Sequence, residues 1–151
     1  LTQAMETVPQ DATPVIAGIH NNLGLTQVAQ KKLPEALACF TDAAKNAEAA
    51  GDRPLTVRTR INAGRTALAL NQPEAARDWL DKALDGLKDF PPSHEKATDL
   101  IQIGLGYHQL RTVMPANGRS PAASAFFAAS VKDARASGSF FCATWVRPRL
   151  L

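Results

Sequence analysis

A 40-residue period constrains this chain more than any other feature of its sequence. Gly24 recurs as Gly64 and Gly104, and Leu23 as Ala63 and Ile103. The series Ala36, Phe40, Ala43 recurs as Ala76, Leu80, Ala83. A repeat of this length is one supersecondary unit that cannot bury its own apolar face, so consecutive units must stack on one another. Within the first unit, His20 to Gly51, the residues Leu23, Gly24, Ala36, Phe40, Ala43 and Ala47 draw apolar stripes on two consecutive helices, and Leu33-Pro34 breaks the chain between them. A glycine on one helix admits a close neighbour, and the Ala, large apolar, Ala series supplies the face that fills the gap.

Proline and glycine divide the period into helices. Thr13-Pro14 predicts a helix start with the Thr hydroxyl as N-cap and proline in the first turn, where its missing N–H costs nothing. That helix runs to about Gln30. Pro34 opens a second, which stops at Gly51-Asp52, and Pro54 opens a third. Asn71-Gln72-Pro73 separates the third from a fourth, ended by Pro91-Pro92. Ser93 caps a fifth that reaches Arg111, and Ser120-Pro121 starts a sixth, stopped by Ser137-Gly138-Ser139. The expectation is an all-α chain of six helices in three antiparallel hairpins. Residues 1–12 form an N-terminal extension or the end of a preceding helix, and 13–139 form the repeat domain, divided 13–52, 53–92 and 93–139. Residues 140–151 form a tail or truncated capping helix, in which Phe140, Phe141, Trp145 and Val146 cover the sixth helix.

These residues resemble the tetratricopeptide repeat family in its long-repeat form. The family's small and large packing positions are met by Leu23, Gly24, Ala36, Phe40 and Ala43. In the second unit Ala63, Gly64, Ala67, Ala76, Leu80 and Ala83 fill them, and in the third Ile103, Gly104 and Tyr107. Gln27 stands where the family usually has an aromatic residue. The second helix of the third unit comes late. Ala123, Phe127 and Ser130 follow Ala36, Phe40 and Ala43 by 87 residues, so about seven residues are inserted between 113 and 120. The resemblance spans residues 14 to 139 and implies a right-handed superhelical solenoid whose first helices line a concave groove.

The bulk properties exclude several function classes. The chain has 151 residues, 45% of them hydrophobic, and no run of apolar residues long enough to span a membrane. Its net charge of +3 is uneven: residues 1–52 hold three Lys or Arg against six Asp or Glu, and residues 93–151 hold seven against three. The basic residues are diluted by acids, and aromatics make up 6%, which argues against nucleic acid. Cys39 and Cys142 have no metal-like or paired spacing, and Cys39 beside Phe40 reads as an inert packing thiol. His20, His94 and His108 fall on three different helices without acidic or cysteine partners nearby in sequence, so neither a metal nor a cofactor is expected. No phosphate loop or nucleophile motif occurs, and Asp78, Asp81 and Asp85 read as a solvated face with Arg77 and Lys82. The expectation is a non-enzyme. The chain opens on Leu1, which reads as a fragment or processed chain, and a cytoplasmic location is expected.

What remains is a surface. The family's groove positions fall here on Gly18, Asn21, Asn22, Leu25, Val28 and Ala29, then on Arg58, Ile61, Asn62, Arg65, Leu68 and Ala69. In the third unit they fall on Thr98, Ile101, Gln102, Leu105, His108 and Gln109. Asn22, Asn62 and Gln102 recur at the period, a ladder of side-chain amides that can clasp the backbone of an extended peptide without reading its sequence. Kinesin light chains, in the same branch, use groove asparagines in this way. The alternative is that the amides bond neighbouring helices. Arg58, Asn62 and Arg65 share one helix face and can grip a carboxylate. The carboxylate clamp of chaperone-binding members is matched only at Asn62, so the acidic tails of cytosolic chaperones are not expected as ligands. The expected groove site is Asn22, Asn62, Gln102, Arg58, Arg65, Leu25, Leu105 and His108, with Val28, Ile61 and Leu68 adding apolar contacts and a protein or peptide as partner. Two other readings stand beside it. One is the sensing arm of a larger bacterial protein, such as a caspase-like peptidase or a signal-responsive regulator. The other is a homo-oligomerisation module acting through the C-terminal end.

Overall fold

A computed structural model describes residues 12–113. Five helices follow one another: α1 (Thr13–Ala29), α2 (Leu33–Ala49), α3 (Arg53–Ala69), α4 (Pro73–Leu87) and α5 (His94–Val113). Among the described residues there is no strand. The expected sixth helix, the insertion after 113 and the C-terminal tail lie outside the described residues, as do residues 1–11 and Cys142.

Each of the first four helices begins with a proline in its first turn, where the missing donor is not needed. The first three end in the same way. Lys31, Gly51 and Asn71 adopt φ of 62°, 71° and 58°. In each case the left-handed residue donates to the carbonyl three residues back, and the next residue donates to the carbonyl five back, as in Lys32 N to Gln27 O, Asp52 N to Ala47 O and Gln72 N to Ala67 O. This double bond pair ends a helix and reverses the chain within a few residues. Asp52 then caps α3 by accepting from Leu55 N at 3.0 Å, and Ser93 Oγ accepts from Lys96 N at 3.1 Å at the start of α5. The start of α1 differs from expectation. Ala12, not Thr13, is the N-cap, with no side-chain bond, because its backbone is already helical and draws Thr13 into the first turn.

Packing repeats with the period. Ala36, Phe40, Ala43 and Ala47 of α2 are buried, and so are Ala76, Leu80, Ala83 and Leu87 at the same places on α4. Phe40 seats against Gly24, where an added Cβ would stand 2.7 Å from the ring. Leu80 seats against Gly64 at 3.1 Å and against Gly106 on α5 at 2.7 Å. Each of these side chains contributes roughly 1.5–3 kcal/mol by burial. A small cluster of Ala36, Phe40 and Ala63, flanked by Leu37 and Trp79, adjoins a larger one of Val57, Ile61, Leu80, Leu87, Leu100, Ile103, Tyr107 and Leu110.

Consecutive helices pack on each other, and α1 also meets α3 as α3 meets α5. The odd-numbered helices therefore form one layer, with α2 and α4 in the other. Two expected positions fall differently. Leu23 is 46% exposed, whereas its equivalents Ala63 and Ile103 are fully buried, because those two face a preceding hairpin and α1 has none among the described residues. Ile61 is 3% exposed and belongs to the core, since α5 covers that side of α3.

Tyr107 ties α5 to α4. Its hydroxyl donates to Asp81, whose other oxygen lies 3.9 Å from Arg77 Nε. The rest of the α4 surface is solvated as expected, with Lys82–Asp78 at 2.8 Å and Lys88–Asp85 at 2.6 Å.

Two tests follow from this packing. Gly24→Ala forces a methyl onto a rigid ring, and overpacking of about 1–3 kcal/mol exceeds the helix-propensity gain of at most about 1 kcal/mol. Urea unfolding followed by circular dichroism should show both variants destabilised, Gly64→Ala less than Gly24→Ala, because its methyl stands 3.1 Å from Leu80 rather than 2.7 Å from a rigid ring. Burial, and then the bond to Asp81, raise the Tyr107 pKa above its ordinary 10.0. A raised folded-state pKa means stability present below pH 10 and lost as the pH rises beyond it. Tyr107 is the only tyrosine in the chain, so tyrosinate absorbance reports it alone. It should stay un-ionised well above pH 10 in the folded chain, and Tyr107→Phe should flatten the alkaline loss of stability.

Candidate functional site

The inner layer carries the charge asymmetry of the molecule. Helix α1 contains no Asp, Glu, Lys or Arg, and α3 contains four arginines and no carboxylate. Helices α2 and α4 together hold seven carboxylates against three basic residues. Two of the α3 arginines are neutralised. Arg53 pairs with Asp89 at 3.3 Å and stacks on Phe90, and Arg60 pairs with Glu48 at 3.0 Å. Arg58 and Arg65 make no ion pair within contact distance among the described residues. Arg58 does act at longer range on Asp99 of α5, whose carboxyl burial pushes above the usual range while Arg58 pulls it back.

Side-chain bonds hold the inner helices in register. Asn62 Nδ2 donates to Asn21 Oδ1 at 3.0 Å, joining α3 to α1, and Arg65 donates to Gln102 Oε1 at 3.1 Å, joining α3 to α5. Two members of the amide ladder are thus bonded to neighbouring helices. Each keeps further donor or acceptor capacity. Asn22 is exposed, and its side chain makes no hydrogen bond among the described residues; its backbone carbonyl accepts from Thr26 Oγ1.

These helices line a cavity of about 510 Å³. Leu25 and Val28 of α1, Leu68 and Ala69 of α3 and Val113 of α5 make its apolar walls, while Asn62, Arg65 and Gln109 supply polar groups. The volume suits one or two side chains of a bound segment. Of the eight expected groove residues, Leu25, Asn62 and Arg65 line this cavity; Asn22, Arg58, Gln102, Leu105 and His108 do not. Leu105 and His108 are exposed on α5, N-terminal to the cavity residues Gln109, Thr112 and Val113. Leu33, Phe40, Thr66, Thr112 and Val113 line it without having been expected: Leu33, Thr112 and Val113 sit at helix ends beyond the repeating groove positions, and Phe40 and Thr66 are core residues that reach its floor. A smaller cavity of about 180 Å³ lies between α2, α3 and α4 beside the Arg60–Glu48 pair.

Buried polar atoms mark where the first unit departs from its repeats. His20 Nδ1 and Gln27 Oε1 are buried without a hydrogen-bond partner among the described residues. The equivalents of Gln27 are the apolar Ala67 and the bonded Tyr107. Cys39 is free and half-buried. Among the described residues there is no cluster of His, Cys, Asp and Glu that could hold a metal, and no helix is long and apolar enough to cross a membrane.

A family model described as tetratricopeptide repeat matches residues 15–89, two full hairpins. The chain belongs to the tetratricopeptide repeat family. Neither a curated protein nor a solved structure matches it. Tetratricopeptide repeats generally mediate protein–protein interaction and are typically non-enzymatic modules, so a protein partner is the implication for this chain.

The inter-helix bonds separate structural from available amides. Asn21 is 6% exposed, and Asn62→Leu leaves its carbonyl buried without a donor, at a cost of about 1–3 kcal/mol. Asn22→Ala removes no bond made by the side chain. Chemical denaturation should therefore show a marked loss for Asn62→Leu and almost none for Asn22→Ala.

Proposed function

We propose that this chain is an interaction module that takes an extended peptide or protein segment along the concave inner layer of a right-handed solenoid. The observation that carries this reading is the cavity between α1, α3 and α5, closed on one side by Leu33 and Phe40 of α2, apolar in its walls and polar at Asn62, Arg65 and Gln109. Affinity would come from a surface organised before binding, because Asn62–Asn21 and Arg65–Gln102 already fix its polar groups. The free capacity of Asn62 and Gln102, together with exposed Asn22, offers backbone hydrogen bonds, and Leu25, Leu105 and His108 extend the contact surface. Arg58 and Arg65 add charge on the same helix face.

The test compares two variants that alter exposed residues. Leu25→Asp with Ala69→Asp spoils the cavity, while Ala38→Asp with Ala75→Asp alters the outer helices. Binding partners isolated with the wild-type chain should lose at least about tenfold in affinity with the first pair and almost nothing with the second. Equal retention by both, or loss with the outer pair alone, moves the binding surface off the groove.

A further inference from the structure

We propose that the outward face of α1 is a self-association surface, on which a second copy of this chain docks antiparallel through its own α1, across a two-fold axis at Ile19. Val15, Ile19 and Leu23 stand at i, i+4 and i+8 on one side of α1 and are 62%, 58% and 46% exposed. None of them lines the groove cavity, so this surface is separate from the one proposed above for a partner segment. The repeat shows what kind of body fits it. At the same places on α3, Thr59 and Ala63 are fully buried, and on α5 Ile103 is fully buried and Asp99 half-buried. In both cases the cover is a helix, α2 over α3 and α4 over α5. The two covered seams are polar at their centre, at Thr59 and Asp99, whereas the uncovered one is apolar at all three places. A face turned to water ordinarily carries charge, and α1 has no Asp, Glu, Lys or Arg at all.

The pattern of the face selects a second copy as its occupant. A two-fold contact requires a patch that complements itself, and the row Val15, Ile19, Leu23 is evenly spaced about Ile19. Reversed on itself, it sets Ile19 beside Ile19 and Val15 beside Leu23, apolar on apolar throughout. Residues four apart form a ridge, and two such ridges interdigitate where the helices cross. The uncharged helix imposes no like-charge repulsion on its own copy and offers no charge by which to select a different protein. Lys31 and Lys32, exposed just beyond the C-terminal end of α1, set the direction. Parallel pairing brings both lysine pairs and both like dipole ends together, and antiparallel pairing separates them. Three half-exposed side chains from each copy bury less than the roughly 1,600 Å² of a standard interface, so the dimer should be reversible, with dissociation on the order of 10–100 µM.

Sedimentation equilibrium of the wild-type chain, from about 1 to 300 µM, should show a reversible monomer–dimer equilibrium. Ile19→Asp and Ile19→Lys should each weaken it at least about tenfold, because the axis sets like charge against like, and an equimolar mixture of the two variants should recover the dimer. Val15→Asp/Leu23→Lys sets opposite charges against each other in the antiparallel order, so it should associate more tightly than Val15→Asp/Leu23→Asp. All three positions are exposed, so circular dichroism should show each variant folded, and the wild-type series stands whatever the variants do. A wild-type chain that is monomeric throughout the range overturns the proposal, whether the face is then bare or covered by another part of the chain. A dimer indifferent to Ile19→Asp also overturns it, since the contact then lies elsewhere. So does a mixture that stays monomeric while each variant alone has lost the dimer, because Ile19 then meets a different surface. Pelleting of a monomeric chain with phosphatidylcholine vesicles, lost in Ile19→Asp, overturns the proposal in favour of a lipid surface.

Discussion

The close approach of helices at glycine is the constraint from which the rest of the structure follows. Phe40 lies over Gly24, and Leu80 over Gly64, each pair separated by sixteen residues and repeated at the 40-residue period. Leu80 also fills the space at Gly106, so one side chain locks its own hairpin and the next helix together. A side chain at any of these glycines competes for the same volume. Once the hairpins are closed in this way, the alanines at 36, 43, 76 and 83 can pack without gaps, and the inner helices are brought near enough for side-chain bonds.

That proximity has electrostatic consequences. With the carboxylates of α2 and α4 in one layer and the arginines of α3 in the other, the two layers present different potentials to a ligand. Where the layers meet, Arg60 and Glu48 neutralise each other. Away from that seam Arg65 makes no ion pair among the described residues, and Arg58 shares its field with Asp99. An exposed ion pair contributes little to stability, so the value of such a distribution lies in which partners it favours.

Much of the fold was legible locally. Proline in the first turn is written in the sequence at 14, 34, 54 and 73, and stops are written at Gly51 and Asn71, where the backbone turns left-handed. Lys31 is the instructive case, since no glycine announces its conformation; the stop is set by Pro34 and by the bonds of Lys31 and Lys32 back into α1. Thr13 misled because a residue with the right side chain for a cap is not one when the helix already begins before it.

The candidate site was legible only in outline. The resemblance to the repeat family implied that Leu25, Asn62 and Arg65 share an inner face; helical spacing by itself gave only that Asn62 and Arg65 share one side of α3, because it fixes direction around a single axis. It could not tell Ile61, covered by α5, from Leu25, which no described helix covers, nor an amide bonded across helices from one open to solvent. Those outcomes depend on the distance between helices, and that distance is set jointly by side chains far apart in the chain. The sequence by itself determined the repeat, the helices α1 to α5 and the family; tertiary packing decided which groove residues are structural, which line the cavity, and which arginines of α3 are ion-paired.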